Sequence, residues 1–191
     1  MCRKVSNHYQ THIECNQYGI QSVFVGWEYT KISKKILSQY KYKYAYNISH
    51  ILSQLLIERL EITSFANNIK VDTILLPMPI HNSHSKQRGF NQSLLLAKNL
   101  QKHFNCQLGE DLIKRVGMSK YQSQQSVKDR LELSEDTFRL KEGLINKHII
   151  IIDDVLSTGT TLNRLATALK GNQLDAITLF RGKPHFQYLR K

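Results

Sequence analysis

The residues best suited to chemistry run from His148 to Thr161, as His-Ile-Ile-Ile-Ile-Asp-Asp-Val-Leu-Ser-Thr-Gly-Thr-Thr. Asp153 and Asp154 are adjacent carboxylates, able to hold hydroxyl groups or share a cation. Ser157, Thr158, Gly159, Thr160 and Thr161 are small and hydroxylated around a glycine, so backbone N–H groups and hydroxyls can converge on a phosphate. A Walker-type loop is excluded, since Gly-Lys-Ser/Thr does not occur. These groups work only if something places them together. The four isoleucines predict a strand buried on both faces, as in a parallel sheet. The acids then fall at its carboxyl end, where open α/β sheets bind ligands. Leu162, Leu165, Ala166 and Leu169 follow at helical spacing, so the cradle opens a helix whose N-terminal partial charge favours a phosphate dianion. Gly171 is placed to end that helix. An ordinary β–turn–α crossover with a polar cap would account for the hydroxyls but not for the paired acids.

This stretch resembles the phosphoribosyl pyrophosphate (PRPP) loop of type I phosphoribosyltransferases. The resemblance implies that Asp153 and Asp154 hold the ribose hydroxyls and that Ser157 to Thr161 hold the 5′-phosphate. It also implies Mg²⁺ near the two acids, bridging pyrophosphate and ribose oxygens of the ligand, an arrangement that Mg²⁺ favours because it keeps part of its water shell.

A second segment narrows the resemblance. Leu76-Pro77-Met78-Pro79-Ile80-His81, followed by Arg88-Gly89-Phe90-Asn91-Gln92-Ser93, is similar to the ComF family of competence-associated proteins. Tyr40-Lys41-Tyr42, Arg115 with Gln122 to Gln125, and Arg130 to Phe138 resemble further elements of that family in the same order. Pro79, Lys86, Arg88 and Gly89 are the implied pyrophosphate-binding residues. Arg88 has the fork to bind bidentately, and Gly89 permits close backbone approach. As bare sequence, Pro77 and Pro79 are equally strand terminators and Arg88 a surface residue. Lys114, Arg115 and Lys120 lie where such enzymes often carry a mobile lid.

Two departures from the family pattern bear on activity. The usual Arg-x-x-Asn before the PRPP strand reads Arg130-Leu131-Glu132-Leu133. Where 6-oxopurine phosphoribosyltransferases place a general-base Asp, this chain has Ser157, whose hydroxyl does not ionise near neutral pH. Purine salvage is disfavoured. Orotate-type enzymes work without that Asp, so transfer itself stays open.

The 191 residues carry a formal charge of +12, spread along the chain, which suits a polyanionic partner: nucleic acid or a multiply phosphorylated small molecule. Tyrosines 29, 40, 42, 44 and 46 interleave with lysines 31, 34, 35, 41 and 43. Single-stranded nucleic acid grooves combine aromatics and cations in this way, which makes Lys41, Tyr42, Lys43 and Tyr44 candidates. An exposed lysine face with half-buried tyrosines fits the same pattern. The resemblance to ComF proteins implies partners in DNA uptake: single-stranded DNA and the proteins that handle it.

No apolar run approaches the ~18 residues of a membrane span, and Met-Cys-Arg-Lys lacks the apolar segment of a signal peptide. A cytoplasmic protein without membrane insertion is expected. Cys2, Cys15 and Cys106 do not suggest a disulfide framework. Cys2, His8, His12 and Cys15 are of zinc-ligating types, but their spacing is not that of a knuckle. Zinc is not expected, and residues 1–19 are taken as a degenerate or truncated finger ahead of a phosphoribosyltransferase-like domain at 20–191.

Strands are expected at Gln21–Trp27, Val71–Leu76, His148–Ile152 and Asp175–Phe180, and helices at Lys31–Tyr40, Ile48–Leu60, Phe90–Phe104 and from Leu162. Their alternation implies an α/β type I phosphoribosyltransferase fold: a mainly parallel twisted sheet flanked by helices, with a small hood. The functional expectation is a ComF-like protein with a PRPP-type site acting in natural competence. The alternatives are a catalytically active phosphoribosyltransferase of nucleotide metabolism, releasing pyrophosphate from PRPP, and a non-catalytic PRPP sensor.

Overall fold

The computed structural model describes residues 19–42, 45–80, 89–116, 137–141, 144–156 and 159–181. The elements are β1 (Ile20–Glu28), α1 (Lys31–Tyr42), α2 (Ala45–Glu61), a 3-10 turn (Ser64–Asn68), β2 (Ile74–Pro77), α3 (Gln92–Phe104), β3 (Gln107–Leu108), β4 (Ile113–Val116), β5 (Thr137–Leu140), β6 (His148–Leu156), α4 (Thr160–Ala168) and β7 (Gln173–Arg181). Five strands pair in parallel in the order β1-β7-β6-β2-β3. Strands β4 and β5 form a separate antiparallel ribbon, the hood.

The isoleucine run explains why β6 is central. Ile149 to Ile152 are all fully buried. Ile150 and Ile152 pack with Leu56, Leu60, Leu96 and Leu100 from α2 and α3. Ile149 and Ile151 pack with Leu162 and Leu165 from α4 on the other face. Each such side chain is worth about 1.5–3 kcal/mol when withdrawn from water, so the strand is held from both sides.

The connections also place a crevice. β2 runs through α3 to β3 in one direction, while β6 runs through α4 to β7 in the other. The two helices lie on opposite faces, which keeps both crossovers of one hand. The sheet therefore diverges between β2 and β6, the kind of switch point where open α/β sheets bind ligands.

Several expectations need correction. Val71 and Asp72 lie in a turn rather than a strand, because Thr73 N–H bonds the Lys70 carbonyl at 3.0 Å and Lys70 N–H bonds Thr73 Oγ1 at 2.9 Å. Strand β2 ends at Pro77, one residue beyond the expected Leu76, with Pro77 paired to Ile152. Met78 N–H bonds the Ile152 carbonyl at 2.8 Å, so the position of Pro77 faces β3, whose pairing has stopped at Leu75–Leu108. Its missing N–H therefore costs no ladder bond. Lys114 and Arg115, from the expected lid segment, lie on β4, and Lys120 lies outside the described residues. The expected patch at Leu131–Leu133 and the finger candidates Cys2, His8, His12 and Cys15 lie outside the described residues.

Strand β1 passes so close beneath α2 that only glycine fits at position 26. A Cβ there would stand 2.9 Å from the Leu179 carbonyl oxygen and 2.9 Å from Leu56 Cδ1. Overpacking of this kind costs about 1–3 kcal/mol, at roughly 2–4 °C per kcal/mol for a chain of this size. Gly26→Ala is expected to lower Tm by about 2–12 °C in a thermal melt. An unchanged Tm would mean that the β1–α2 contact is looser than described.

Candidate functional site

The two acids sit at the carboxyl end of β6, inside its paired length. Asp153 is in register with Thr178 of β7, and Ile152 just before it pairs with Pro77. Side-chain alternation shifts by one position here, since Val155 packs with the α2–α3 cluster and Leu156 with the α4 cluster. Asp153 Oδ1 takes two donors: the Asp154 backbone N–H at 2.8 Å and Ser93 Oγ–H at 3.3 Å.

Burial, and then the negative charge of Asp154, push the Asp153 carboxyl up to about 8 against the pull of those two donors. A proton on Asp153 is thereby favoured, in a position to be donated to the Asp154 side chain. A cation or hydroxyl donors brought by a ligand would relieve the same repulsion.

The phosphate cradle begins where β6 ends. Gly159 adopts φ +77° and caps α4, whose first residues are Thr160 and Thr161. The left-handed backbone there suits glycine, and the first-turn N–H groups of a helix have no intrahelical acceptor. Asp153, Leu156, Gly159, Thr160 and Thr161 line one cleft. The hood closes over the same side, with Ile113 and Phe138 packed among Met78, Leu156 and Leu162.

On the other side of the acids lies the first turn of α3. Asn91 caps it by accepting from Ser93 N–H at 3.0 Å, and donates its side-chain amide to the Met78 carbonyl at 3.0 Å. The Gln92 carbonyl accepts from the buried Tyr40 hydroxyl at 2.7 Å. Burial, and then the charge of Asp154, push that phenol above its ordinary range, so Tyr40 stays a donor.

The structure thus brings Asp153, Gly159, Thr160 and Thr161 together in one cleft, with Asp154 next to Asp153 on β6. Pro79 follows β2 half-buried at the same edge, and Gly89 stands just before α3 with φ +72°. Ser157, Thr158, Lys86 and Arg88 lie outside the described residues, as do Lys43 and Tyr44. Lys41 and Tyr42 end α1. Tyr40 is fully buried and Tyr29 packs against the core, so neither offers an open stacking face. Ser93 and Tyr40 are site-shaping residues that sequence reading missed. Ser93 follows the Asn-Gln pair of the motif, and an Asn two residues upstream is a helix-cap signal that would have placed it in a first turn.

Among the described residues, no group of three or more His, Cys, Asp or Glu could hold a metal. The acid pair suits Mg²⁺ only as a partner to ligand oxygens, which is how Mg²⁺ is commonly held.

The family model described as a phosphoribosyl transferase domain matches residues 91–180, from the cap of α3 into β7. The fold and its acid pair thus define a type I phosphoribosyltransferase domain. Similar proteins include Competence protein F of Haemophilus influenzae, 25% identical over 148 residues, with 76% of this chain and 65% of that protein covered. DNA utilization protein YhgH of Escherichia coli is 26% identical over 153 residues, covering 80% and 67%. Competence protein ComFC of Bacillus subtilis is 30% identical over 165 residues, covering 81% and 62%. The chain is similar to these competence and DNA utilization proteins over most of its own length, and it spans 62% to 67% of theirs.

The raised Asp153 has a signed consequence for stability. An Asp ionises near 3.9 when unfolded, so its native penalty is absent below about pH 4 and grows as pH rises toward 8. Asp153→Asn is therefore expected to raise Tm at pH 8 and to leave it little changed near pH 4. Identical melting shifts at both pH values would contradict a protonated Asp153.

Proposed function

We propose that this protein binds PRPP, or a closely related phosphorylated ribose, and acts in the handling of incoming single-stranded DNA during natural competence. The observation that carries the ligand reading is Asp153, the first of two adjacent acids near the end of β6, lining one cleft with the glycine-capped start of α4. Ribose offers vicinal hydroxyl donors to Asp153 and Asp154, and its 5′-phosphate suits the N–H groups at Gly159 to Thr161. The pyrophosphate is assigned to the segment from Pro79, which follows β2, to Gly89, which precedes α3, with Lys86 and Arg88 between them in the chain. Mg²⁺ bound with the ligand would supply Lewis-acid neutralisation of the pyrophosphate oxygens, with Asp153 and Asp154 as its nearest protein groups.

Transfer to an acceptor would break the ribose C1–pyrophosphate bond and form a bond from C1 to the acceptor, through an oxocarbenium-like state. The paired carboxylates beside the ribose and the cations at the leaving group would stabilise the separated charge. With Ser157 in place of a general-base Asp, the acceptor must arrive without needing a proton removed there.

The DNA role rests on the names of the relatives, Competence protein F and DNA utilization protein YhgH, together with the net charge of +12. Lys31, Lys34 and Lys35 are exposed on α1, and Lys41 and Tyr42 continue that helix. The protein is read as cytoplasmic; no described helix is long and apolar enough to cross a membrane.

A calorimetric titration with PRPP, with and without Mg²⁺, tests the ligand reading. Saturable binding that Asp154→Asn weakens at least 100-fold, about 2.7 kcal/mol, is the expected result. A folded protein that binds PRPP under neither condition would overturn it. For DNA, binding of a labelled single strand should fall steeply with salt. Replacing Lys41 and Lys43 by Glu should weaken it about tenfold or more, and unchanged binding in the double variant would exclude that surface.

A further inference from the structure

The first turn of α3 is held at three points by groups that do not share an element. Asn91 ties it to the end of β2 through the Met78 carbonyl. Tyr40 ties it to α1 through the Gln92 carbonyl. The third tie is Ser93, whose hydroxyl reaches 3.3 Å to Asp153 Oδ1 at the end of β6. Ser93 and Gln92 are both almost completely buried.

This turn is not arranged for stability alone. Among the described residues, the Gln92 side-chain nitrogen is buried without a hydrogen-bond partner, a condition that costs about 1–3 kcal/mol. The Ser93 hydroxyl is spent on a carboxyl already crowded by its neighbour. Local departures from polar satisfaction gather where a structure serves a site. A carboxyl at the end of a strand has a free χ1 and χ2. A ligand whose hydroxyls must meet it loses affinity if those torsions have to be fixed on binding.

We propose that Ser93 is a positioning residue of the ribose site: it fixes the Asp153 carboxyl from the first turn of α3, in the orientation that a ribose hydroxyl meets. Together with the Asp154 N–H it occupies Oδ1, so the carboxyl cannot turn over and its other oxygen keeps one direction. The turn itself is braced by Tyr40 and Asn91, which extends the support of the site to α1 and β2. This inference rests on the ribose-phosphate reading above.

The test is PRPP titration of the wild type, Ser93→Ala, Ser93→Thr and Asp154→Asn in the presence of Mg²⁺, with a melting curve for each. Ser93→Ala is expected to weaken binding about tenfold, with Tm within a few degrees of wild type, and Ser93→Thr to restore affinity to within about twofold. A structural role for the Ser93 volume would not separate Ala from Thr in this way. Wild-type affinity in Ser93→Ala, or a Thr variant as weak as Ala, overturns the proposal. If the wild type binds and Asp154→Asn does not, those outcomes overturn the positioning role alone. If the folded wild type fails to bind PRPP, the ribose reading falls and this inference falls with it.

Discussion

Two carboxyl groups side by side at the end of an apolar strand are the constraint on which the rest of this structure depends. β6 drives four isoleucines into the centre of the sheet and then delivers Asp153 and Asp154 to its rim. Burial, and then the charge of Asp154, push the Asp153 carboxyl above the usual carboxylate range. The surrounding parts either soften this conflict or make use of it. The first turn of α3 offers a hydroxyl, Asp154 offers its own backbone N–H, and α4 begins with a cap suited to an anion. A ligand carrying hydroxyls, phosphate and an accompanying cation would satisfy all of these together.

The opposite edge of the sheet shows a different solution to burying polar groups. His148 opens β6 with one ring nitrogen 2.9 Å from Asp175 Oδ2 and the other 3.0 Å from Thr73 Oγ1. That cluster links β2, β6 and β7 where they begin. A single strand thus starts in a polar tie that holds the sheet together and ends in an acid pair whose neutralisation waits on a ligand. Scaffold and site occupy opposite ends of β6, so changes to one can be made with limited effect on the other.

Much of this was legible in the sequence because strong periodicity marks buried elements. The isoleucine run, the apolar stripes of α2 and α3 and the helix that carries Leu162 all fold as their patterns imply. The acids fall where the strand and loop signals put them. What escaped was short or non-local. β3 has two residues and β5 has four, too few to show a period. The Tyr40 to Gln92 bond joins residues 52 apart, and the Ser93 to Asp153 bond residues 60 apart, which no local pattern can announce. Tyr40 was grouped with tyrosines suited to stacking, yet its ring is in the core. Interleaving with lysines does not distinguish a buried aromatic from an exposed one.

The central claim is that the acid pair and the glycine-capped helix form one ribose-phosphate site. A crystal structure of the protein with PRPP and Mg²⁺ tests it most directly. The account expects the 5′-phosphate against the N–H groups at Gly159 to Thr161, and the ribose hydroxyls within hydrogen-bonding distance of Asp153 and Asp154. Ligand density away from the β6–α4 junction, or a bound ribose that touches neither acid, would contradict it.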